Sequence, residues 1–190
     1  RSEVSNIAAI GGVLPKLIDG KDGILDPCDI EKVLIQNGLA FPDISLILLE
    51  NTHNAAGGIC IDPYNMSQYK NIADKNNLKI HVDGARIFNA AVSLEVSVDK
   101  LAKDADSLSF CLTKGLCCPF GGLVVGNRQF IKRARKFQQM LGGGLRQIGY
   151  MAAAGKYALE NMITRLKEDH DNAKILANEL KTLGFDILNK

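Results

Sequence analysis

The residues of this sequence best suited to chemistry are a carboxylate, Asp83, and an amine, Lys114. Each follows a short segment in which every second residue is apolar: "LKIHV" before Asp83 and "SLSFCLT" before Lys114. Such alternation is typical of a β-strand with one buried face. Lysine is costly to remove from water, so its place at the end of a buried strand indicates a chemical use rather than packing.

An amine and a carboxylate at the ends of neighbouring strands are the pair that pyridoxal phosphate requires. The lysine condenses with the cofactor's aldehyde, and the carboxylate keeps the pyridine nitrogen protonated so that the ring can accept electrons. Arg86, three residues after Asp83, can reach the ring oxygen or a carboxylate with two donors. This pattern favours a pyridoxal-phosphate site at Asp83, Arg86 and Lys114.

Simpler interpretations of the same residues stay open on spacing alone. Asp83 could cap a turn, Lys114 could be an exposed lysine at a strand end, and the two could form a salt bridge without a cofactor. A dinucleotide site is disfavoured because no GxGxxG follows the first strands. The basic segment "RQFIKRARKFQQM" is explained more simply as a solvated helix face than as an RNA-binding surface.

A metal site is a further alternative. Three thiols and an imidazole could contribute ligands, but adjacent cysteines are poor tetrahedral partners. Small buried apolar side chains explain the thiols more simply. The residues concerned are Cys111, Cys117, Cys118 and His53.

The elements that must position these residues alternate between strands and helices. The apolar patterns predict strands at 44–49, 78–82, 107–112 and 121–125, and helices at 27–38, 66–75, 87–103 with a break near Ser97, 128–140 and 146–183. The nearly unbroken run "ISLILL" predicts a first strand buried on both faces. The alternation predicts an α/β fold of three layers, with a mostly parallel sheet and helical crossovers.

Parallel strands bring their carboxyl ends to one edge of the sheet, where ligands of open α/β sheets bind. Three loops should therefore converge there: 50–54, 83–86 and 113–115. The sequence predicts a ligand site at that edge.

The overall composition bounds the class of protein. With 190 residues, 46% hydrophobic and 23% charged, the chain can bury a substantial core. Its net charge of +2 gives no reason to expect a nucleic acid or an acidic membrane as a partner. Apolar runs stay well short of the ~18 residues of a membrane span. Five cysteines without CxxC pairs predict reduced thiols and a cytoplasmic protein.

Four longer strings carry a resemblance to a known family. They are "LLENTHNAAGG", "HVDGARIFNAA", "SFCLTKGLCCPFGGLVVGNR" and "MLGGGLRQIGYMAAAGKYAL", and in this order they resemble the threonine aldolases of the aromatic amino acid beta-eliminating lyase/threonine aldolase group. The resemblance implies a fold-type-I, pyridoxal-phosphate-dependent lyase. Such an enzyme cleaves L-threonine or L-allo-threonine to glycine and acetaldehyde, and works as a homodimer or homotetramer.

The resemblance also implies roles for individual residues. Lys114, in the Ser/Thr-Lys-Gly motif that includes Thr113, matches the lysine that bonds covalently to the cofactor. Asp83 matches the partner of the pyridinium nitrogen, and Arg86 matches the arginine near the ring oxygen. In "GGGLRQ", Arg146 resembles an arginine that reaches the cofactor phosphate across a subunit interface.

His53 and Ala40 complete the comparison with the family. His53 matches the histidine of the "ENTHN" loop, which could orient substrate or cofactor, serve as a base in place of a water, or cap the loop. Many relatives have His-Phe-Pro where this chain has Ala-Phe-Pro at 40–42. Because alanine cannot exchange a proton, recognition of the substrate hydroxyl should be weaker here.

The resemblance covers the middle of the usual family length. It implies a cofactor-binding large domain at 1–165, lacking its N-terminal part, and a helix at 166–190 leading toward an absent small domain. The family's phosphate cup and ring-stacking histidine would precede Arg1, so we expect this chain alone to bind the cofactor weakly. The alternatives are another fold-type-I lyase, a transaminase, or a catalytically silent remnant.

Overall fold

A single mixed sheet organises the chain in the computed structural model, which describes residues 5–36 and 42–187. Among these residues the sheet has the order β1 (Leu46–Glu50), β2 (Lys79–Asp83), β3 (Ser107–Cys111) and β4 (Gly122–Gly126). The first three strands run parallel, and β4 pairs antiparallel with β3. The predicted α/β fold with a mostly parallel sheet is confirmed.

Helices fill the connections between strands. Their bounds are α1 (Asn6–Ala9), α2 (Pro27–Ile35), α3 (Pro63–Lys75), α4 (Ile87–Ser93), α5 (Val98–Ala102), α6 (Arg128–Met140), α7 (Gly149–Asn161) and α8 (Leu166–Thr182). The expected break near Ser97 is confirmed, because α4 and α5 are separate. The expected end of α2 at Gly38 lies outside the described residues. No helix in the described part of the chain is long and apolar enough to cross a bilayer.

Side-chain caps set the starts of three of the helices. The Oδ1 atoms of Asp26, Asp62 and Asn127 each accept a backbone N–H of the first turn at 2.8 Å, at the starts of α2, α3 and α6. Such caps satisfy donors that have no partner inside the helix. Proline follows the first two caps, where its missing N–H costs nothing.

The single helix predicted at 146–183 is wrong. The structure has two helices, and the chain turns between them at 162–165. Within this turn the backbone N–H of Leu166 donates to the carbonyl oxygen of Ile163 at 3.2 Å. The turn lets Leu166, which is 1% exposed, enter the core. Burial of that leucine is a tertiary gain that helical periodicity cannot reveal.

The core lies on one face of the sheet. Ile47 and Leu49 of β1 and Ile80 and Val82 of β2 are buried there. The prediction that β1 is buried on both faces is wrong for the described residues, because its other face carries two leucines that are about half exposed, Leu46 at 48% and Leu48 at 49%. An unbroken apolar run therefore gave no information about which face is covered.

Candidate functional site

The carboxyl ends of β1, β2 and β3 meet at one edge of the sheet, as the sequence predicted. Glu50 pairs in register with Asp83, and Asp83 pairs with Ser109. Beyond Asp83, the backbone N–H of Gly84 donates to the carbonyl oxygen of Ser109 at 2.8 Å. A β-carbon at Gly84 would lie only 3.0 Å from that carbonyl oxygen, so glycine is needed where the chain leaves β2. This close approach fixes the turn after Asp83 against β3.

The Asp83 carboxylate is half-buried and only partly used. Its Oδ1 accepts the backbone N–H of Ala85 at 3.0 Å, which closes the turn between β2 and α4. Its Oδ2 makes no hydrogen bond within the described chain. An ionised carboxylate accepts through both oxygens, so Oδ2 is available to a cationic N–H group. Capping and cofactor binding are thus compatible at Asp83.

The Lys114 turn follows β3. The backbone N–H of Cys117 donates to the carbonyl oxygen of Lys114 at 2.9 Å. The backbone N–H of Cys118 donates to the carbonyl oxygen of Leu112 at 3.0 Å. The side chains of Thr113 and Lys114 are exposed, and that of Lys114 makes no hydrogen bond or ion pair within the described residues. In particular, no salt bridge joins it to Asp83. The Lys114 amine is therefore accessible to a reactant.

Arg86 connects two of the three strand ends. It precedes α4, and its Nη1 donates to Asn54 Oδ1 at 3.0 Å. Asn54 belongs to a short 3-10 helix (Asn54–Ala56) in the loop after β1. A guanidinium has five N–H donors, so this bond leaves others for a ligand. Arg86 holds the β1 loop and the β2 turn together.

His53 acts as the cap of that 3-10 helix. Its Nδ1 accepts from the backbone N–H of Ala56 at 3.1 Å, and its Nε2 lies 4.0 Å from Glu50 Oε2. Glu50 Oε1 in turn accepts from the backbone N–H of Asn54 at 3.2 Å. The capping alternative is observed, and only Nε2 remains free to exchange a proton with a ligand.

Sequence reasoning missed Asn51, which holds the β1 loop in place. Asn51 is 1% exposed. Its side-chain amide donates to the carbonyl oxygen of Ile61 at 2.9 Å and accepts from the backbone N–H of Ile61 at 3.1 Å. Burial of an amide is tolerated only when its hydrogen bonds are made. A polar residue directly after a buried strand was the available signal.

His81 was also missed, although it lies two residues before Asp83 on the same face of β2. Its Nδ1 lies 2.8 Å from Ser107 Oγ. Burial lowers the pKa of His81 below its ordinary 6.5, and the charge of Asp83 opposes this in part. The imidazole is therefore held neutral beneath the strand-end residues.

One of the predicted residues, Arg146, is not brought to this edge. Arg146 is exposed in the connection between α6 and α7 and makes no hydrogen bond or ion pair with the strand-end residues described above. Ala40 lies outside the described residues. All five cysteines are free thiols, and among the described residues no three His, Cys, Asp or Glu side chains are grouped to hold a metal ion.

Comparison with known proteins identifies the family. The sequence model of the family described as beta-eliminating lyase matches residues 1–190. The chain belongs to the beta-eliminating lyase family. Within this family it is 41% identical to low-specificity L-threonine aldolase 1 of Arabidopsis thaliana, over 97% of this chain and 53% of that protein. It is also 41% identical to low specificity L-threonine aldolase of Escherichia coli K12, over 99% of this chain and 56% of that protein.

A solved structure shares the fold. The putative L-allo-threonine aldolase of Listeria monocytogenes matches with a TM-score of 0.80 at 22% identity, over 93% of this chain and 47% of that one. The resemblance inferred from the four sequence strings is thus confirmed at the level of family and fold. This beta-eliminating lyase chain spans about half the length of the curated relatives it matches.

Proposed function

We propose that this chain carries the cofactor-binding edge of a pyridoxal-phosphate-dependent aldehyde-lyase. Its reaction would be the cleavage of L-threonine and L-allo-threonine to glycine and acetaldehyde, by analogy with the low-specificity L-threonine aldolases to which it is similar. One observation carries the proposal. An unbonded amine on Lys114 and an unbonded carboxylate oxygen on Asp83 follow adjacent parallel strands.

The side chains at this edge suit the cofactor. Asp83 Oδ2 can accept the pyridinium N–H while Oδ1 stays bonded to Ala85. Arg86 can direct a free N–H at the ring oxygen while Nη1 holds Asn54. Thr113, exposed next to Lys114, offers a hydroxyl to the phosphate. Arg146 would contribute from a neighbouring subunit, which fits its exposed position and an assembly of two or four chains.

When bound, the cofactor supplies an electron-accepting ring for the Cα–Cβ bond that breaks. The chain's own residues orient the reactants around it. Lys114 presents its exposed amine as the covalent anchor. Asp83 stabilises positive charge on the ring nitrogen with its fixed carboxylate. His53 can hold or pass a proton only at Nε2, because its Nδ1 accepts from Ala56.

Covalent trapping tests the cofactor assignment. The purified protein is titrated with pyridoxal phosphate, reduced with borohydride and digested, and the pyridoxyl group is located by peptide mass mapping. We expect it on Lys114. Lys114→Ala should abolish the adduct, whereas Lys103→Ala, which removes an exposed lysine from another loop, should leave it unchanged. An adduct on a different lysine would contradict the assignment.

A substrate panel tests the reaction. With pyridoxal phosphate in large excess, to offset the weak binding expected for this chain alone, we expect acetaldehyde release from L-threonine and L-allo-threonine, which neither a β-eliminating C–S lyase nor a transaminase would give. Pyruvate release from a cysteine conjugate would favour the first of these alternatives. Amino transfer to a keto acid would favour the second. Covalent trapping without turnover of any substrate would favour a silent remnant.

We further propose that the enzyme is cytoplasmic and assembles from two or four copies. Five free thiols fit a reducing compartment. Light scattering of the purified protein measures the assembly, and fractionation of the source cells measures the location.

A further inference from the structure

A hydrogen bond between Asn89 and His170 joins two helices that are far apart in sequence. Asn89 lies on α4, and its Nδ2 is 3.2 Å from Nε2 of His170 on α8. Both side chains are partly buried. The two polar side chains contact each other, and neither residue belongs to the strand-end cluster described above.

The lysine turn packs on one member of this pair, Asn89, and on Leu166 of α8. A β-carbon at Gly115 would lie 3.1 Å from Asn89 Oδ1 and 2.6 Å from Cδ2 of Leu166. Leu166 is buried and lies one helical turn before His170 on α8. The backbone next to Lys114 thus lies against α4 through an amide and against α8 through a leucine.

The same helix also follows the aspartate turn. α4 begins at Ile87, directly after Asp83 and Arg86. The turns that carry Asp83, Arg86 and Lys114 are therefore connected through α4. A shift of α4 relative to α8 would change the distance between the Asp83 carboxylate and the Lys114 amine.

The bond to His170 also fixes which end of the Asn89 amide faces the turn. Nδ2 is a donor only, so Nε2 of His170 accepts. With Nδ2 held there, Oδ1 is the Asn89 atom nearest to the β-carbon position of Gly115, at 3.1 Å against 3.5 Å for Nδ2. Without the histidine acceptor, the amide could rotate and its contact with the turn would no longer be defined.

We propose that Asn89 and His170 are positioning residues for the Lys114–Gly115 turn. They hold the turn by joining α4 to α8 directly against it. This inference deepens the proposed function and depends on it for its catalytic meaning. The structural part can be measured in the protein without any ligand.

Hydrogen–deuterium exchange of the ligand-free protein is the test. In His170→Ala, we expect the amides of 114–118 to exchange about twofold to tenfold faster, as the loss of one hydrogen bond predicts. His170→Gln places an acceptor near the position of Nε2 and should restore slow exchange. Amides of β2 at 79–83 should stay unchanged in both variants.

Two further variants sharpen the result. Asn172→Ala truncates an exposed polar side chain on the same helix and should not change exchange at 114–118. Asn89→Ala should reproduce the effect of His170→Ala, and the double variant should exceed neither single one. The proposal is overturned if His170→Ala leaves the turn unchanged, or if it speeds exchange in β2 equally. Loss of folding in both single variants would also overturn it, because the pair would then support the whole fold.

The rate of borohydride trapping at Lys114 links the turn to the cofactor. We expect slower trapping in His170→Ala and normal trapping in His170→Gln. If the unaltered protein takes up no pyridoxal phosphate, the proposed function fails, while the exchange data still decide the positioning role. If trapping is normal in His170→Ala despite faster exchange, the pair does not position Lys114 for the cofactor.

Discussion

Glu50 and Asp83 are paired in register at the carboxyl ends of two parallel strands, yet their carboxylates have different partners. Glu50 Oε1 accepts from the backbone of Asn54, and Asp83 Oδ1 accepts from the backbone of Ala85. Each carboxylate therefore organises the loop that follows its own strand. Two neighbouring negative charges also make this edge a favourable place for a cationic group.

Asp83→Asn should reduce turnover strongly while the fold is retained. The amide keeps the size of the side chain but cannot stabilise a pyridinium charge. We expect a loss of about 10²- to 10³-fold in threonine cleavage, the scale of losing one preorganised electrostatic partner. Acetaldehyde release and thermal unfolding measure the two effects.

Glu50→Gln is the matched control for that variant. It removes the same charge one strand away and keeps an acceptor for the Asn54 N–H. We expect a loss of less than about tenfold, since the charge is not in contact with the proposed ring nitrogen. Equal losses in the two variants would show that Asp83 acts only through the general negative field of this edge.

Gly115→Ala should destabilise the protein because the new methyl group meets Asn89 and Leu166. Overpacking of this kind costs about 1–3 kcal/mol. Gly149→Ala is the control, because no atom lies within 4 Å of the β-carbon it would add. There we expect no loss of stability. Denaturant unfolding of both variants measures the difference.

Stability should fall as pH decreases through the range just below 6.5, because of His81. Burial lowers the pKa of His81 in the folded state, so the unfolded chain binds a proton first as pH falls. The free energy of unfolding then decreases by at most about 1.4 kcal/mol per pH unit for one proton. His81→Asn retains an acceptor near Nδ1 and should flatten this dependence between about pH 7 and 5. An unchanged slope would contradict the assignment to His81.

Asp106→Ala should destabilise the sheet at the edge opposite the candidate site. Burial alone would raise the pKa of Asp106, but the Ile80 N–H and the charges of Lys79 and Lys70 outweigh it, and the pKa lies below 3.8. Asp106 Oδ2 accepts from the backbone N–H of Ile80 at 3.0 Å, and Oδ1 forms an ion pair with Nζ of Lys79 at 3.0 Å.

The loss in Asp106→Ala should be about 1–3 kcal/mol at neutral pH. It should become smaller in acid, because the charge-dependent part of this stabilisation is lost as pH falls through the lowered folded pKa. Asp99→Ala, at an exposed position, should cost less at either pH. A loss in Asp106→Ala that is as large at pH 2 as at neutral pH would show that charge is not the cause.

The sequence by itself determined the order of the four strands and the edge at which the candidate site lies. Alternation before Asp83 and Lys114 identified two parallel strands, and the rule for parallel strands placed their carboxyl ends together. The cap that Asp26 provides for α2 is equally local, because an N-cap depends on residues within one turn. These are properties of short segments, so a single sequence suffices to predict them.

Only the tertiary structure decided which faces are covered and which side chains meet. Leu46 and Leu48 are half exposed although their segment is wholly apolar, because coverage depends on elements remote in sequence. The contact between Asn89 and His170 joins positions 81 residues apart, and its geometry follows from the turn at 162–165 that aims α8 at α4. Such contacts arise from the packing of whole elements, which local periodicity does not encode.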